Sequence, residues 1–269
     1  ILAFGGREVY LSWRHQEDAR LAAIRLARAH ADLLAAPPLP MLSVSEAAHG
    51  RDLFAGACVA CHGPDARGVP GLGKDLVQSN FVAFQSDDQL RQFLINGRPD
   101  ARPVAMPPRA GRDDLSDEDL RHIVVYLRGL QDPRRMPELP PPAATPAPSP
   151  AQNAAALAAA GNDPELAQYI ASGDRIFHTV CIACHGRGGV GIPGNGKPLI
   201  NNEFIRSLDD EALLAFIQQG RSPSDPRNTT GIQMPPKGGN PAMSEDDILD
   251  VIAYLRTLPG NTHAPTDRK

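Results

Sequence analysis

Three things are scarce in this chain: aromatic side chains, long apolar runs and clustered positive charge. Aromatics make up only 5% of the residues, too few to fill a compact core unless a non-protein group adds apolar bulk. No apolar run approaches the roughly 20 residues that span a bilayer, so no segment by itself reads as a membrane span. The formal net charge is −4 and the charged residues alternate in sign, which excludes the basic stripe of a nucleic-acid binder. Cysteine is scarce too, with four in 269 residues, and a chain of that length suits two small domains.

All four cysteines sit in two copies of one pattern, CVACHG at 58–63 and CIACHG at 181–186. Shifting the chain by 123 residues lays Gly50–Arg98 on Gly173–Arg221 without a gap. GVPGLGKDL (68–76) falls on GIPGNGKPL (191–199), and Phe81 falls on Phe204. After a five-residue insertion in the second copy, a shift of 128 lays AMPPR (105–109) on QMPPK (233–237) and LSDEDLRHIVVYLRGL (115–130) on MSEDDILDVIAYLRTL (243–258). The chain is therefore a duplication. The expected domains are 43–134 and 164–262, joined by a Pro/Ala-rich linker at 135–163 and followed by a tail at 263–269. Seven of the fourteen residues from Pro137 to Pro150 are proline, which favours an extended, semi-rigid spacer leading into a short Ala-rich helix.

Each copy reads as helical, giving an all-α fold. One helix precedes the cysteines. A second spans Asp87 to Asn96, capped by Ser86 and stopped by Gly97, with Asp209 and Gly220 in those roles in the second copy. The last helix opens with a capping box, Ser116 to Asp119 or Ser244 to Asp247, and carries Leu120, Ile123, Val124 and Leu127 at helical spacing. The chain begins ILAFGG, and the Ala-, Leu- and Arg-rich stretch that follows predicts a long helix up to Pro37. Residues 1–42 stand outside the repeat and read either as the end of a membrane anchor or as a surface helix behind a cleaved signal.

A Cys-x-x-Cys pair serves a redox dithiol, half a zinc site or covalent haem attachment. The histidine that follows separates them, because two thiols can form thioethers with the haem vinyl groups while the adjacent imidazole reaches the iron. Zinc would need the two pairs close together, and they stand 123 residues apart across a proline-rich linker. A thioredoxin-like dithiol would need a sheet, which the sequence does not predict. Two covalently bound haem c groups are expected, on Cys58, Cys61 and His62 and on Cys181, Cys184 and His185. For the remaining axial position, the repeat nominates Met106 and Met234, the methionines that match between copies within Met-Pro-Pro; a packing role is the other reading. Met243 lies on Leu115 and reads as a packing residue. Arg98 and Arg221, just after the helix-stopping glycines, are placed either to pair with haem propionates or to face solvent. His15, His30, His49, His122, His178 and His263 have no repeat equivalents and read as surface or packing residues.

These motifs resemble class I cytochrome c domains over about 50–130 and 173–258, and the pair resembles diheme cytochromes c of bacterial electron-transfer chains. The resemblance implies a close helix crossing at Gly50-x-x-x-Phe54 and Gly173-x-x-x-Phe177, with Tyr126 and Tyr254 as aromatic partners. It implies that the carbonyls of Pro70 and Pro193 accept a hydrogen bond from the ligand histidines. It also implies one-electron transfer between redox complexes, from a quinol-oxidising complex to a terminal oxidase or reaction centre, rather than bond-making catalysis. The expected site is the periplasm, at the membrane, with redox proteins as partners, and the N-terminal segment as an anchor or docking element. A diheme peroxidase or thiosulfate-oxidising cytochrome is the alternative, and it would need one iron with a labile ligand.

Overall fold

A computed structural model describes residues 2–35, 39–102, 104–143 and 147–261, with the side chains of 2–12, 33 and 34 left aside. Pro37, His263 and the expected 263–269 tail fall outside the described residues. The architecture is all-α, and among the described residues β pairing is confined to isolated bridges. A long helix α1 (Leu2–Ala35) comes first, with its described side chains mostly exposed, Trp13, Leu21 and Ile24 among them. No helix of the described residues is long and apolar enough to cross a membrane.

Two similar lobes follow. The first contains α2 (Val44–Ala57), α3 (Val59–His62), α4 (Asn80–Phe84), α5 (Asp87–Asn96) and α6 (Asp117–Gln131). The second begins with α7 (Pro150–Ala159) and α8 (Pro164–Ile176), passes through a π-turn at Phe177–Cys181, and continues with α9 (Ile182–His185), α10 (Glu203–Ser207), α11 (Asp210–Gln219) and α12 (Glu245–Thr257). The caps stand where the sequence predicts them. Ser86 and Ser116 close capping boxes on α5 and α6, Ser244 does so on α12, and Asp209 caps α11. The Ala-rich helix α7 packs Ala156 against Ala167, Ile170 and Ala171 of α8.

In each lobe the helix before the cysteines crosses the last helix at a glycine. A Cβ on Gly50 would collide with the His122 carbonyl oxygen, and one on Gly173 with that of Asp250, so only glycine allows the backbones this close. Phe54 then meets Tyr126 at 5.6 Å between ring centroids, and Phe177 meets Tyr254 at 5.2 Å. Around these crossings lie the two cores. The first gathers Phe54, Leu90, Leu94, Leu120, Ile123 and Val124, and the second gathers Phe177, Leu213, Ile217, Ile248, Val251 and Ile252. Each such aliphatic or aromatic side chain stabilises the fold by about 1.5–3 kcal/mol when fully buried.

The linker does not hold the lobes apart as a free spacer. It lies along the first lobe, where Arg51 Nη1 donates to the Pro140 carbonyl at 2.6 Å and the Ala143 N–H donates to Asp52 Oδ2 at 3.1 Å. The lobes themselves touch, and their contacts obey an internal two-fold relationship. Gly111 of the first lobe faces Ala183 of the second, while its repeat equivalent Gly239 faces Ala60, the equivalent of Ala183. Gly56 and its equivalent Thr179 meet each other, so the local axis passes between them. Arg187 adds ion pairs to Asp113 at 3.7 Å and Asp114 at 3.6 Å.

Candidate functional site

The cysteine turn of each lobe ends at a glycine in the left-handed region, Gly63 at φ 74° and Gly186 at φ 70°, which turns the chain sharply after the histidine. His62 Nδ1 donates to the Lys74 carbonyl at 2.8 Å, and His185 Nδ1 donates to the Lys197 carbonyl at 2.9 Å. A carbonyl can only accept, so Nδ1 carries the proton and Nε2 keeps a free lone pair. Burial pushes both imidazoles below their ordinary pKa, against the hydrogen bond, which favours the neutral form a metal ligand requires. The accepting carbonyls correct the expectation that named Pro70 and Pro193, which are exposed. A backbone carbonyl leaves no trace in residue identity, so the sequence could not point to the right one.

None of the four cysteines is in a disulfide. Burial pushes Cys58 and Cys181 up to about 12, so as bare thiols they would be inert. Cys61 and Cys184, equivalent residues of the two lobes, influence each other's thiol across the interface, which lowers Cys61 and raises Cys184.

Met106 and Met234 are held by the same device. Arg98 and Met106 form an isolated antiparallel bridge, with N–H to carbonyl distances of 2.6 and 3.1 Å, and Arg221 and Met234 form another at 2.8 and 3.0 Å. After each Met-Pro-Pro the backbone turns left-handed, at Arg109 (φ 50°) and Lys237 (φ 53°). Their side chains brace the loop, Arg109 Nη1 donating to the Leu115 carbonyl and Lys237 Nζ to that of Met243, both at 2.7 Å. Both methionines are partly buried and pack on the core of their lobe.

The two arginines differ in their side chains. Arg98 is exposed. The Arg221 guanidinium lies 4.7 Å from the Phe204 ring centroid and 4.6 Å from that of Phe216, and its Nε and Nη2 are buried without a hydrogen-bond partner. It borders a cavity of about 790 Å³ in the second lobe, lined also by Cys181, Cys184, His185, Phe216 and Met234. That volume falls within the roughly 300–1,000 Å³ usual for cofactor sites. A cavity flanked by two thiols, an imidazole and a thioether, with the Arg221 guanidinium on its wall held only by a 3.9 Å ion pair to Asp225, fits a haem carrying acidic side groups.

Sequence reasoning missed the residues that brace this frame. Arg128 of α6 donates to the Val82 and Gln85 carbonyls and to Asp87, and Arg256 of α12 makes the same three links to Ile205, Leu208 and Asp210. Their matching positions in the duplication were the available signal. Gln131 and Asn261 carry out one task from non-equivalent positions, each donating to a carbonyl of the loop that leads to the α4 or α10 helix, Leu76 or Leu199. Among the described residues, none of the unmatched histidines lines the cavity. His49 bonds Asp119 at 3.0 Å beside His122, while His178 pairs with Asp174 at 2.8 Å.

The family model for cytochrome c oxidase, cbb3-type, subunit III matches residues 45–127 and 168–255, one segment per lobe. Among curated relatives, the cbb3-type cytochrome c oxidase subunit FixP of a Bradyrhizobium species is 25% identical over 189 residues, 68% of this chain and 54% of that protein. The cytochrome bc1 complex cytochrome c subunit of Mycobacterium tuberculosis is 25% identical over 229 residues, 81% of this chain and 68% of that one. The thiosulfate dehydrogenase electron acceptor of Stutzerimonas stutzeri is 28% identical over 213 residues, 78% and 82% of the two chains. This chain thus spans only about half the length of the FixP subunit. With both Cys-x-x-Cys-His turns inside the matched segments, the chain belongs to the cbb3-type cytochrome c oxidase subunit III family, as a c-type cytochrome with two haem c attachment motifs.

Proposed function

We propose that the protein carries single electrons between respiratory redox complexes, with each lobe acting as a class I cytochrome c domain. Cys58 and Cys61 would hold one haem c and Cys181 and Cys184 the other, with His62 and Met106, and His185 and Met234, supplying the iron ligands. The observation that carries this reading is the shared placement of ligand candidates: in both lobes the histidine is oriented through Nδ1 and the methionine is pinned by a backbone bridge. Haem c supplies a reversible one-electron couple. The protein's own residues fix its ligands, exclude water with the apolar wall, and place Arg221 toward a propionate. With both a histidine and a methionine as ligands the iron would have no vacant site for oxygen or peroxide, and thioether ligation would favour the ferrous state relative to a second imidazole.

The domain limits proposed are 43–134 and 164–262, with 135–163 between them, of which α7 packs onto the second lobe. An extracytoplasmic location suits covalent haem attachment, and α1 serves as an anchor or docking element against a partner complex such as a cbb3-type oxidase or a bc1-type complex. The relatives that are subunits of such complexes support that assignment. The catalytic alternative needs one lobe to lack a sulfur ligand, whereas both lobes keep methionine in the same bridge. The test is a potentiometric titration followed by visible absorption. Two low-spin transitions with a ferric methionine-sulfur charge-transfer band are expected, and a high-spin haem with rapid peroxide turnover would refute the proposal.

A further inference from the structure

One polar side chain breaks the two-fold relationship between the lobes. Asn195 is buried, 5% exposed, and its repeat equivalent is Leu72. Its amide spends both ends on a single residue of the other lobe: Oδ1 accepts from the Ala105 N–H at 2.9 Å, and Nδ2 donates to the Ala105 carbonyl at 3.0 Å. Nδ2 also lies 3.4 Å from the Ala183 carbonyl, within the second cysteine turn. Ala105 immediately precedes Met106, and Ala183 lies between Cys181 and Cys184. A single buried amide therefore ties the methionine loop of the first lobe to the haem-attachment turn of the second. The same interface packs Gly111 against Ala183 and Gly239 against Ala60, so both cysteine turns lie at the contact between the lobes. With haem attached at both turns, the two attachment sites would lie on facing sides of this interface.

We propose that Asn195 is a positioning residue that clamps the Met106 loop onto the Ile182–His185 turn, holding the two redox centres edge to edge so that electrons pass directly between the lobes. The inference rests on the haem reading above. The transfer forms and breaks no bond: one lobe is oxidised by one electron as the other is reduced. Replacing Asn195 would leave the Ala105 N–H and carbonyl without partners inside the interface, so the lobes would separate there to admit water. Met106, one residue away, would keep its bridge to Arg98 but lose the anchor on Ala105, whereas the Met234 loop would be untouched.

The experiment uses the full haem-loaded chain and compares Asn195→Leu, which installs the first-lobe residue, with the unaltered protein. Haem content by the pyridine haemochrome assay should stay at two per chain. After partial photoreduction, electron equilibration between lobes should slow by about tenfold or more, as expected when a reacting pair loses its fixed geometry. The exciton signal of neighbouring haems in circular dichroism should weaken, and part of the ferric methionine-sulfur band should be lost from the first lobe alone. In case Asn195→Leu fails to accumulate, Gly56→Leu offers a second route, because it wedges the axis contact with Thr179 while Asn195 stays intact. It should slow equilibration without altering the Met106 band. Unchanged equilibration and circular dichroism in either variant that folds would overturn the clamp. Fewer than two haems in the unaltered chain would overturn the haem reading, and the clamp with it.

Discussion

Arg221 and Met234 face each other in a two-residue antiparallel bridge, each donating its N–H to the other's carbonyl, while the Arg221 guanidinium lies between Phe204 and Phe216. Arg98 and Met106 repeat the bridge but not the side-chain placement, since Arg98 is exposed. The two arginines should therefore respond differently. Arg221→Leu is expected to shift the potential of the second lobe, while Arg98→Leu leaves the first lobe's potential nearly unchanged. Spectroelectrochemistry of the two variants checks this.

Removing the thioethers one at a time separates the lobes spectroscopically. Met106→Ala and Met234→Ala should each abolish about half of the ferric sulfur charge-transfer absorption and lower the potential of the altered lobe alone. Loss of the whole band from either variant would contradict two independent sites.

Arg128 and Arg256 test the frame. Each replaces water around two carbonyls and a carboxylate, so Arg256→Ala should destabilise the second lobe by about 2 kcal/mol. Chemical denaturation should show Arg128→Ala acting on the first lobe to a similar degree.

The helix crossings leave no room for a methyl group. Gly173→Ala should cost about 3 kcal/mol, because a Cβ there meets the Asp250 backbone and not a mobile side-chain end. Thermal unfolding checks it, and Gly194→Ala, where a Cβ meets open space at φ 80°, gauges the backbone cost alone.

The His178–Asp174 pair gives stability a pH dependence. The hydrogen bond to Asp174 raises His178, outweighing burial and the nearby Arg187. Burial pushes Asp174 up, but hydrogen bonds from His178 and Gln152 leave it below its ordinary value. The raised histidine adds stability that is complete below its ordinary 6.5 and fades as pH rises through its folded value. The lowered aspartate adds stability that is complete above its ordinary 3.8 and fades as pH falls through its folded value. The window is therefore about pH 4 to 6.5. His178→Ala, matching Ala55 of the first lobe, should cost about 1 kcal/mol more at pH 6 than at pH 9, read from melting temperatures.

Much of this was legible because duplication exposes what each lobe retains. Caps at Ser86, Asp209, Ser116 and Ser244 follow from local spacing, while the glycine crossings and the aromatic pairs follow from the resemblance to class I cytochrome c domains, and the structure places them there. Residues that act on backbone carbonyls were illegible. Lys74 and Lys197 matter through their carbonyls, not their charge, and Gln131 and Asn261 reach the same loops from unmatched positions. Nor could composition show that the proline-rich linker folds back on the first lobe, or that Asn195, aligned with a leucine, joins the two halves. Each depends on which distant backbone group comes within reach.

The linker packed along the first lobe has one more effect. Because both halves belong to one polypeptide, their meeting is intramolecular, and a short tether presents one to the other at an effective concentration in the millimolar range. The contact around Gly56 and Thr179 can thus stay closed with an intrinsic affinity too weak to hold two separate proteins together. A protease cut between 137 and 149 would turn that closure into an equilibrium between separate halves that dilution can shift.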